Sequence, residues 1–159
     1  MAREKNYINN KDLYEAMVQH IEKTKENSKV GVSNYIGQSI MLICNNLAKR
    51  PNFSGYSYKQ ELISDGIVDC LAAVNNFDPN KTNNPFAYFT QIAWNAFIRR
   101  IQKEHKQTYI KHKNFENSFL MNEFWTDSDN IHLKANEHSS NVIENFENKL
   151  TKTKNGGSI

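Results

Sequence analysis

The sequence predicts an all-α fold: a compact helical domain over residues 8–113, followed by an acidic, partly disordered C-terminal arm over 114–159. Three observations carry that expectation. Strand-type alternation of apolar and polar residues is not sustained anywhere in the 159 residues, and glycine occurs only six times. Apolar residues recur instead at every third or fourth position in one stretch after another. Between those stretches sit asparagines, serines and prolines, the residue types that start and stop helices.

The first helix is expected over 9–26, opened by an asparagine cap, with Asp12 in its first turn and Leu13, Ala16, Met17 and Ile21 on one face. The connection ENSKVGVSN leads to a second helix over 35–49, whose apolar stripe is Ile36, Ile40, Ile43, Cys44 and Leu47. Pro51 stops it, because proline has no N–H to continue the ladder. NFSGYS reads as a turn. A third helix over 58–76 buries Ile63, Ile67, Cys70, Leu71 and Val74. FDPNKTNN is another turn, and Asn84-Pro85 opens a fourth helix with proline where the missing N–H costs nothing. Beyond residue 114 the pattern weakens. NFENSFLMNEFW is a short apolar cluster, TDSDNIHLKANEHSSN is linker-like, and NVIENFENKL is amphipathic through Val142, Ile143, Phe146 and Leu150. TKTKNGGSI is expected to be disordered.

The placement of charge says more than the net value of +3. Residues 1–78 carry nine basic and nine acidic side chains, whereas 79–113 carry seven basic residues against the single acid Glu104. Residues 114–159 reverse the balance, with four basic and seven acidic. A basic block nearly free of acids is the footprint of a polyanionic partner. The N-terminus has no apolar stretch of signal-peptide type and no run is long and apolar enough to span a bilayer, so a soluble, non-secreted protein with no membrane partner is expected. Cys44 and Cys70 lie in apolar helical patterns far from metal-binding spacing, and read as buried thiols. His105 and His112 have no matching ligand set, and neither a P-loop, H-E-x-x-H nor G-x-S-x-G occurs. No enzyme activity, metal or cofactor is expected.

Two helices carry more than packing. On the third, Glu61, Asp65 and Asp69 stand at i, i+4 and i+8 with Leu62 on the same outward side, and no cation answers them at i+4 within the helix. Like charges at that spacing repel by a few tenths of a kcal/mol per pair, so either the face is merely solvated or it docks on a basic surface. On the fourth, Phe86, Phe89, Ala93, Trp94, Phe97 and Ile101 form a core side, while Tyr88, Gln91, Asn95, Arg99, Gln102, Lys103 and Lys106, with Ile92, occupy the remaining arc. That arc contains no acid. Amides and arginine can bond base edges, lysines neutralise phosphates, and an exposed Tyr88 offers a stacking surface.

The segment ELISDGIVDCLAAVNNFDPNKTNNPFAYFTQIAWNAFIRRI resembles region 2 of the sigma-70 family of bacterial RNA polymerase specificity factors. It shares acid-Leu-Ile-x-acid-Gly, then Ala-Val-x-x-Phe-acid, then an aromatic helix ending in Ile-Arg. YINNKDLYEA, NNLAKRPNFSGYS and the block through RRIQKEHK are similar to the late-transcription sigma factors of T-even-like phages, so that the resemblance spans about residues 7–113. It implies a compact domain of sigma region-2 type. The implied partners are the largest-subunit coiled coil of bacterial core RNA polymerase, at Glu61, Ser64 and Asp65 with Leu62 nearby, and promoter DNA. Phe77 and Asp78 match positions lining a pocket for a flipped base, and Phe89, Asn95, Ala96, Arg99 and Arg100 match the helix that reads and melts the −10 element.

This chain also departs from the family pattern. The tandem tryptophans that wedge the duplex open align with Ile92 and Ala93, and Trp94 stands one residue on. One residue turns a side chain by about 100°, so Trp94 is expected in the core and melting falls to Tyr88 and Ile92. Ala96 cannot make the base hydrogen bond of a longer side chain. With no second DNA-binding helix-turn-helix, the resemblance implies late phage promoters defined by an AT-rich −10 element, with a phage coactivator supplying the missing contacts, in the cytoplasm of the infected host. The phage group ends in an acidic-hydrophobic tail that binds the sliding clamp; here NVIENFENKL takes that role or clamp coupling is absent. Two other readings are a nucleic-acid-binding module without polymerase, which leaves the acidic stripe without a task, and a polymerase-binding adaptor, which has no use for an acid-free basic helix.

Overall fold

The computed structural model describes residues 8–27, 29–122 and 129–155. Its helices are α1 (Asn10–Glu26), α2 (Asn34–Ala48), α3 (Pro51–Ser54), α4 (Lys59–Ala73), α5 (Pro85–Asn122) and α6 (Asp129–Asn155), with a 3₁₀ turn at Val74–Asn76 after α4. Among the described residues there is no strand. The chain divides into two compact units, Met1–Ile101 and Gln102–Ile159.

In the first unit the starts of α1, α2 and α5 follow from side-chain capping. Asn9 Oδ1 accepts from the Lys11 N–H at 3.1 Å, Ser33 Oγ from Ile36 at 3.4 Å, and Asn84 Oδ1 from Ala87 at 3.0 Å. Asn10 reaches across the fold, accepting from the Phe86 N–H at 3.2 Å and donating to the Asn83 carbonyl at 3.4 Å, which ties the start of α1 to the start of α5. Pro51 does more than end α2. It occupies the first turn of α3, which runs into the expected NFSGYS turn, and this single helical turn buries Phe53. The Phe53 ring then meets Trp94 at 4.8 Å and Phe97 at 5.0 Å, both edge to face.

The core takes Leu13 and Met17 from α1, Ile36, Ile40, Ile43, Cys44 and Leu47 from α2, and Phe89, Ala93, Phe97 and Ile101 from α5. Its contribution from α4 differs from the sequence expectation. Leu62, Ile63, Gly66 and Cys70 are buried, whereas Leu71 is exposed. Counting apolar side chains ignores glycine, yet a Cβ at Gly66 would sit 2.8 Å from the Phe97 ring and 3.2 Å from Cys44 Sγ. The contact of α4 with Phe97 and Cys44 at this point is therefore made by a residue with no side chain, and the buried face lies toward Leu62 and away from Leu71. Cys44 and Cys70 are buried free thiols, and the Cys70 thiol contacts the Phe89 carbonyl at 3.4 Å. Its hydrogen bond with Cys44, together with burial, pushes the Cys70 thiol far above its ordinary range.

In the second unit the C-terminal part of α5 runs antiparallel to α6. Tyr109 stacks on Phe146 at 4.6 Å and donates to Glu147 at 3.0 Å, while His112 Nδ1 lies 2.9 Å from the buried Ser139 hydroxyl. Ser140 donates to Glu116 at 3.1 Å, and Ile143 is buried. Much of the stretch that reads as a linker is thus helical, because its small and polar residues find partners on α5 that the sequence pattern alone does not reveal. Helix α6 also takes in the start of TKTKNGGSI; residues 156–159, and residues 123–125 of the NFENSFLMNEFW cluster, lie outside the described residues.

Gly66→Ala should destabilise the first unit. Overpacking a filled core costs roughly 1–3 kcal/mol, and the ring of Phe97 is wedged against Phe53 and cannot retreat freely. A lower midpoint in urea unfolding at unchanged slope is the expected result, despite alanine's better helix propensity.

Candidate docking face and nucleic-acid face

Glu61, Asp65 and Asp69 share one side of α4, as their spacing requires, but the three differ in surroundings. Glu61 and Ser64 are exposed; Asp65 and Asp69 are half-buried because they turn toward α5. There they meet the cations that their own helix lacks. Arg100 grips Asp65 with two hydrogen bonds, Nε to Oδ2 at 2.7 Å and Nη2 to Oδ1 at 2.8 Å. Arg99 donates to Asp69 through Nη2. The Arg100 side chain is only 20% exposed against 62% for Arg99, so the two pairs are unequal. A forked, partly desolvated arginine–carboxylate pair is much stronger than an exposed one.

Two placements correct the expectation for α4. Leu62 does not face outward beside the acids; it is fully buried, four residues before Gly66 on the inward face. The outward apolar surface consists instead of Val68, 64% exposed, and Leu71, 39% exposed, flanked by Glu61 and Ser64. A signal for Val68 was available in the sequence, since the inward placement of Ile63, Cys70 and Val74 leaves it facing solvent.

On α5, Gln91, Asn95 and Arg99 form an exposed row at i, i+4 and i+8, with Gln91 Nε2 donating to Asn95 Oδ1 at 3.1 Å. Ile92 is half-buried beside it. Tyr88 is half-buried, where an exposed ring was expected. Its hydroxyl donates to the Ala73 carbonyl at 3.0 Å, its ring packs edge-on against Phe77 and Phe89, both at 5.3 Å, and burial pushes its phenol above the ordinary value. Phe77, Phe89 and Ala96 are themselves buried and present no surface to a ligand in this conformation. Trp94 is half-buried against Phe53. Asp78 organises the turn before α5, accepting from the Asn80 N–H at 3.0 Å and standing 3.8 Å from Lys81. Lys103 and Lys106, further along α5 in the second unit, are exposed.

These placements bring together two adjoining surfaces in the first unit: an acidic and apolar one on α4, and an amide and arginine one on α5. Residues 46–107 match the family model for sigma-70 region 2. The matched segment runs from the end of α2 through α3, α4 and the first part of α5, and contains every candidate residue from Glu61 to Lys106. The region-2 match supports a sigma-like role in transcription. No curated protein matches the chain. Among the described residues no group of three or more histidines, cysteines or acids stands close enough to hold a metal ion, and no helix is long and apolar enough to cross a membrane.

The unequal ion pairs give a stability test. Asp65→Ala should lower unfolding free energy by about 1.5–3 kcal/mol, the range for hydrogen bonds to charged groups. Asp69→Ala should cost at most about 1 kcal/mol, as exposed pairs do. Chemical denaturation of both variants checks the order; equal losses would mean that the burial difference does not govern their strength.

Proposed function

We propose that this chain is a sigma-like initiation factor that directs bacterial core RNA polymerase to late phage promoters. It acts there by recognising and melting an AT-rich −10 element in the infected host's cytoplasm. The reading rests above all on the region-2 match at 46–107, which includes all the residues of both faces. The work is binding without covalent chemistry. Glu61, Ser64, Val68 and Leu71 offer a basic coiled coil on the polymerase an acidic edge beside apolar contacts, with Asp65 and Asp69 at the margin toward α5. Gln91, Asn95 and Arg99 offer directed hydrogen bonds to bases and phosphates, Ile92 a partly exposed wedge, and Lys103 and Lys106 phosphate neutralisation. Tyr88 packs against Phe77 and Phe89 in the first turn of the helix that carries that row, and Asp78 organises the turn that leads into it. Melting requires unstacking at a few kcal/mol per base step, offset by stacking and phosphate contacts. A phage coactivator would supply contacts upstream of the −10 element.

A nucleic-acid-binding module that never meets polymerase is the second reading. The arginine pairs favour it to the extent that they give Asp65 and Asp69 a task inside the fold. It leaves the Glu61, Val68 and Leu71 surface without one.

Charge reversal at Asp65 would mix docking with stability, so the clean variants are Glu61→Lys and Val68→Glu. In a pull-down with purified bacterial core RNA polymerase, each should weaken retention by about tenfold or more, equivalent to roughly 1.4 kcal/mol, with helical circular dichroism unchanged. Equal retention of wild type and both variants would remove α4 as the docking face. Failure of the wild type to bind polymerase at all would leave the second reading.

A further inference from the structure

Gln91 and Asn95 are both exposed on α5, and Gln91 Nε2 donates to Asn95 Oδ1 at 3.1 Å. We infer that Asn95 reads an adenine of double-stranded DNA through two hydrogen bonds on its major-groove edge, and that Gln91 is the positioning residue that orients the Asn95 amide for this contact. The inference rests on the nucleic-acid face proposed above, and assigns a base and an edge to one residue of that face.

The bond between the two amides decides what Asn95 offers. An amide oxygen has two acceptor sites and an amide nitrogen has two N–H groups. Gln91 takes one acceptor site of Oδ1, which leaves the second site and the Nδ2 hydrogens for a ligand. It also sets which end of the amide is which, because turning Asn95 over would bring its N–H against the Gln91 N–H. Asn95 therefore presents one acceptor beside one donor in a fixed order. Of the four bases only adenine carries the complement on its major-groove edge, an N6–H to give and an N7 to accept. Guanine presents two acceptors there, cytosine a donor, and thymine an acceptor beside a methyl group. An amide already held by its neighbour loses less freedom on binding than a free one. The row of Gln91, Asn95 and Arg99 itself carries no acid that would repel phosphates at the rim of a groove, and the major groove is wide enough to admit a helix.

The test uses the full chain with purified bacterial core RNA polymerase and recovers bound DNA from a randomised duplex pool. Wild type should enrich adenine at one position by about tenfold over the other bases, within the discrimination of a bidentate contact. Asn95→Ala should lose that enrichment at that position alone, and so should Asn95→Asp, which replaces the donor by a second acceptor. Gln91→Met, similar in length but without a donor, should lower the enrichment severalfold. Gln91→Lys, which restores a donor toward Oδ1, should recover it, an outcome that a merely structural role for Gln91 does not produce. In the enriched sequence, 7-deazaadenine lacks the N7 acceptor and should weaken wild-type binding severalfold while leaving Asn95→Ala unaffected. 2,6-Diaminopurine, altered only on the minor-groove edge, should be tolerated by both. The analogues probe the wild-type protein and so keep the test valid if a variant loses its helical signal. The inference is overturned if no position relaxes in the Asn95 variants, if they weaken all sequences equally as a lost phosphate contact would, or if wild type tolerates 7-deazaadenine. Sequence enrichment by wild type in any of these cases leaves the proposed function standing. A pool recovered by wild type without enrichment, or not retained at all, removes both.

Discussion

At Gly66 the backbone of α4 lies so near the Phe97 ring that one methyl group would not fit between them, and Cys44 of α2 closes the same spot from the other side. This contact sets how α4 is rotated about its own axis, and the rotation decides what each of its residues can do. Leu62 and Cys70 are carried into the core, and Val68 and Leu71 are carried to the surface. Asp65 and Asp69 fall on the flank that meets α5. A turn of α4 by one residue step would exchange these roles, because 100° of rotation is enough to move a side chain from core to solvent. The glycine in the acid-Leu-Ile-x-acid-Gly pattern is therefore a packing requirement on which the neighbouring polar surface depends.

The electrostatics follow from that rotation. Three acids at four-residue spacing repel one another, and α4 contains no cation placed to relieve them. Relief comes from α5, whose arginines are brought to α4 where Phe97 packs on Gly66. Packing thus aligns the ion pairs, and the ion pairs in turn reinforce the packing at the edge of the core. Glu61, near the start of α4, points outward beside Val68 and carries its charge to the surface. The acidic stripe divides into one residue facing outward and two engaged with α5, although spacing alone makes the three equivalent.

Much of this was legible in the sequence. Helical periodicity, the asparagine caps and Pro85 place α1, α2, α4 and the start of α5 close to where they lie, since these signals act within a few residues. The amide and arginine row on α5 follows equally from spacing, because Phe89, Ala93 and Phe97 define the opposite side. What was not legible depends on contacts between helices. The inward position of Leu62 follows from a glycine, which contributes nothing to an apolar count. The partial burial of Tyr88 follows from Ala73 and Phe77, which reach it only once α4 and α5 are assembled. The pairing of Asp65 with Arg100 bridges 35 residues of sequence. The helical state of the stretch before NVIENFENKL is of the same kind, fixed by partners such as His112 and Ser139.

The ion pairs also limit what single substitutions can reveal. Removing Asp65 takes a charge from the α4 surface, takes two hydrogen bonds from Arg100, and weakens the joint between two helices, all in one step. Loss of polymerase binding, gain of nucleic-acid binding and lower stability would then arise together from one cause, and none would by itself assign a role. Glu61 and Val68 on α4, and Gln91 on α5, bear on one face each, because their side chains do not enter the pairs between the two helices. For Asp65 and Asp69 the informative quantity is the coupling energy with the opposing arginine, obtained from double-mutant cycles for stability and for binding separately. A coupling in stability alone marks a structural joint, whereas a coupling in binding as well would tie the pair to the face whose ligand is tested.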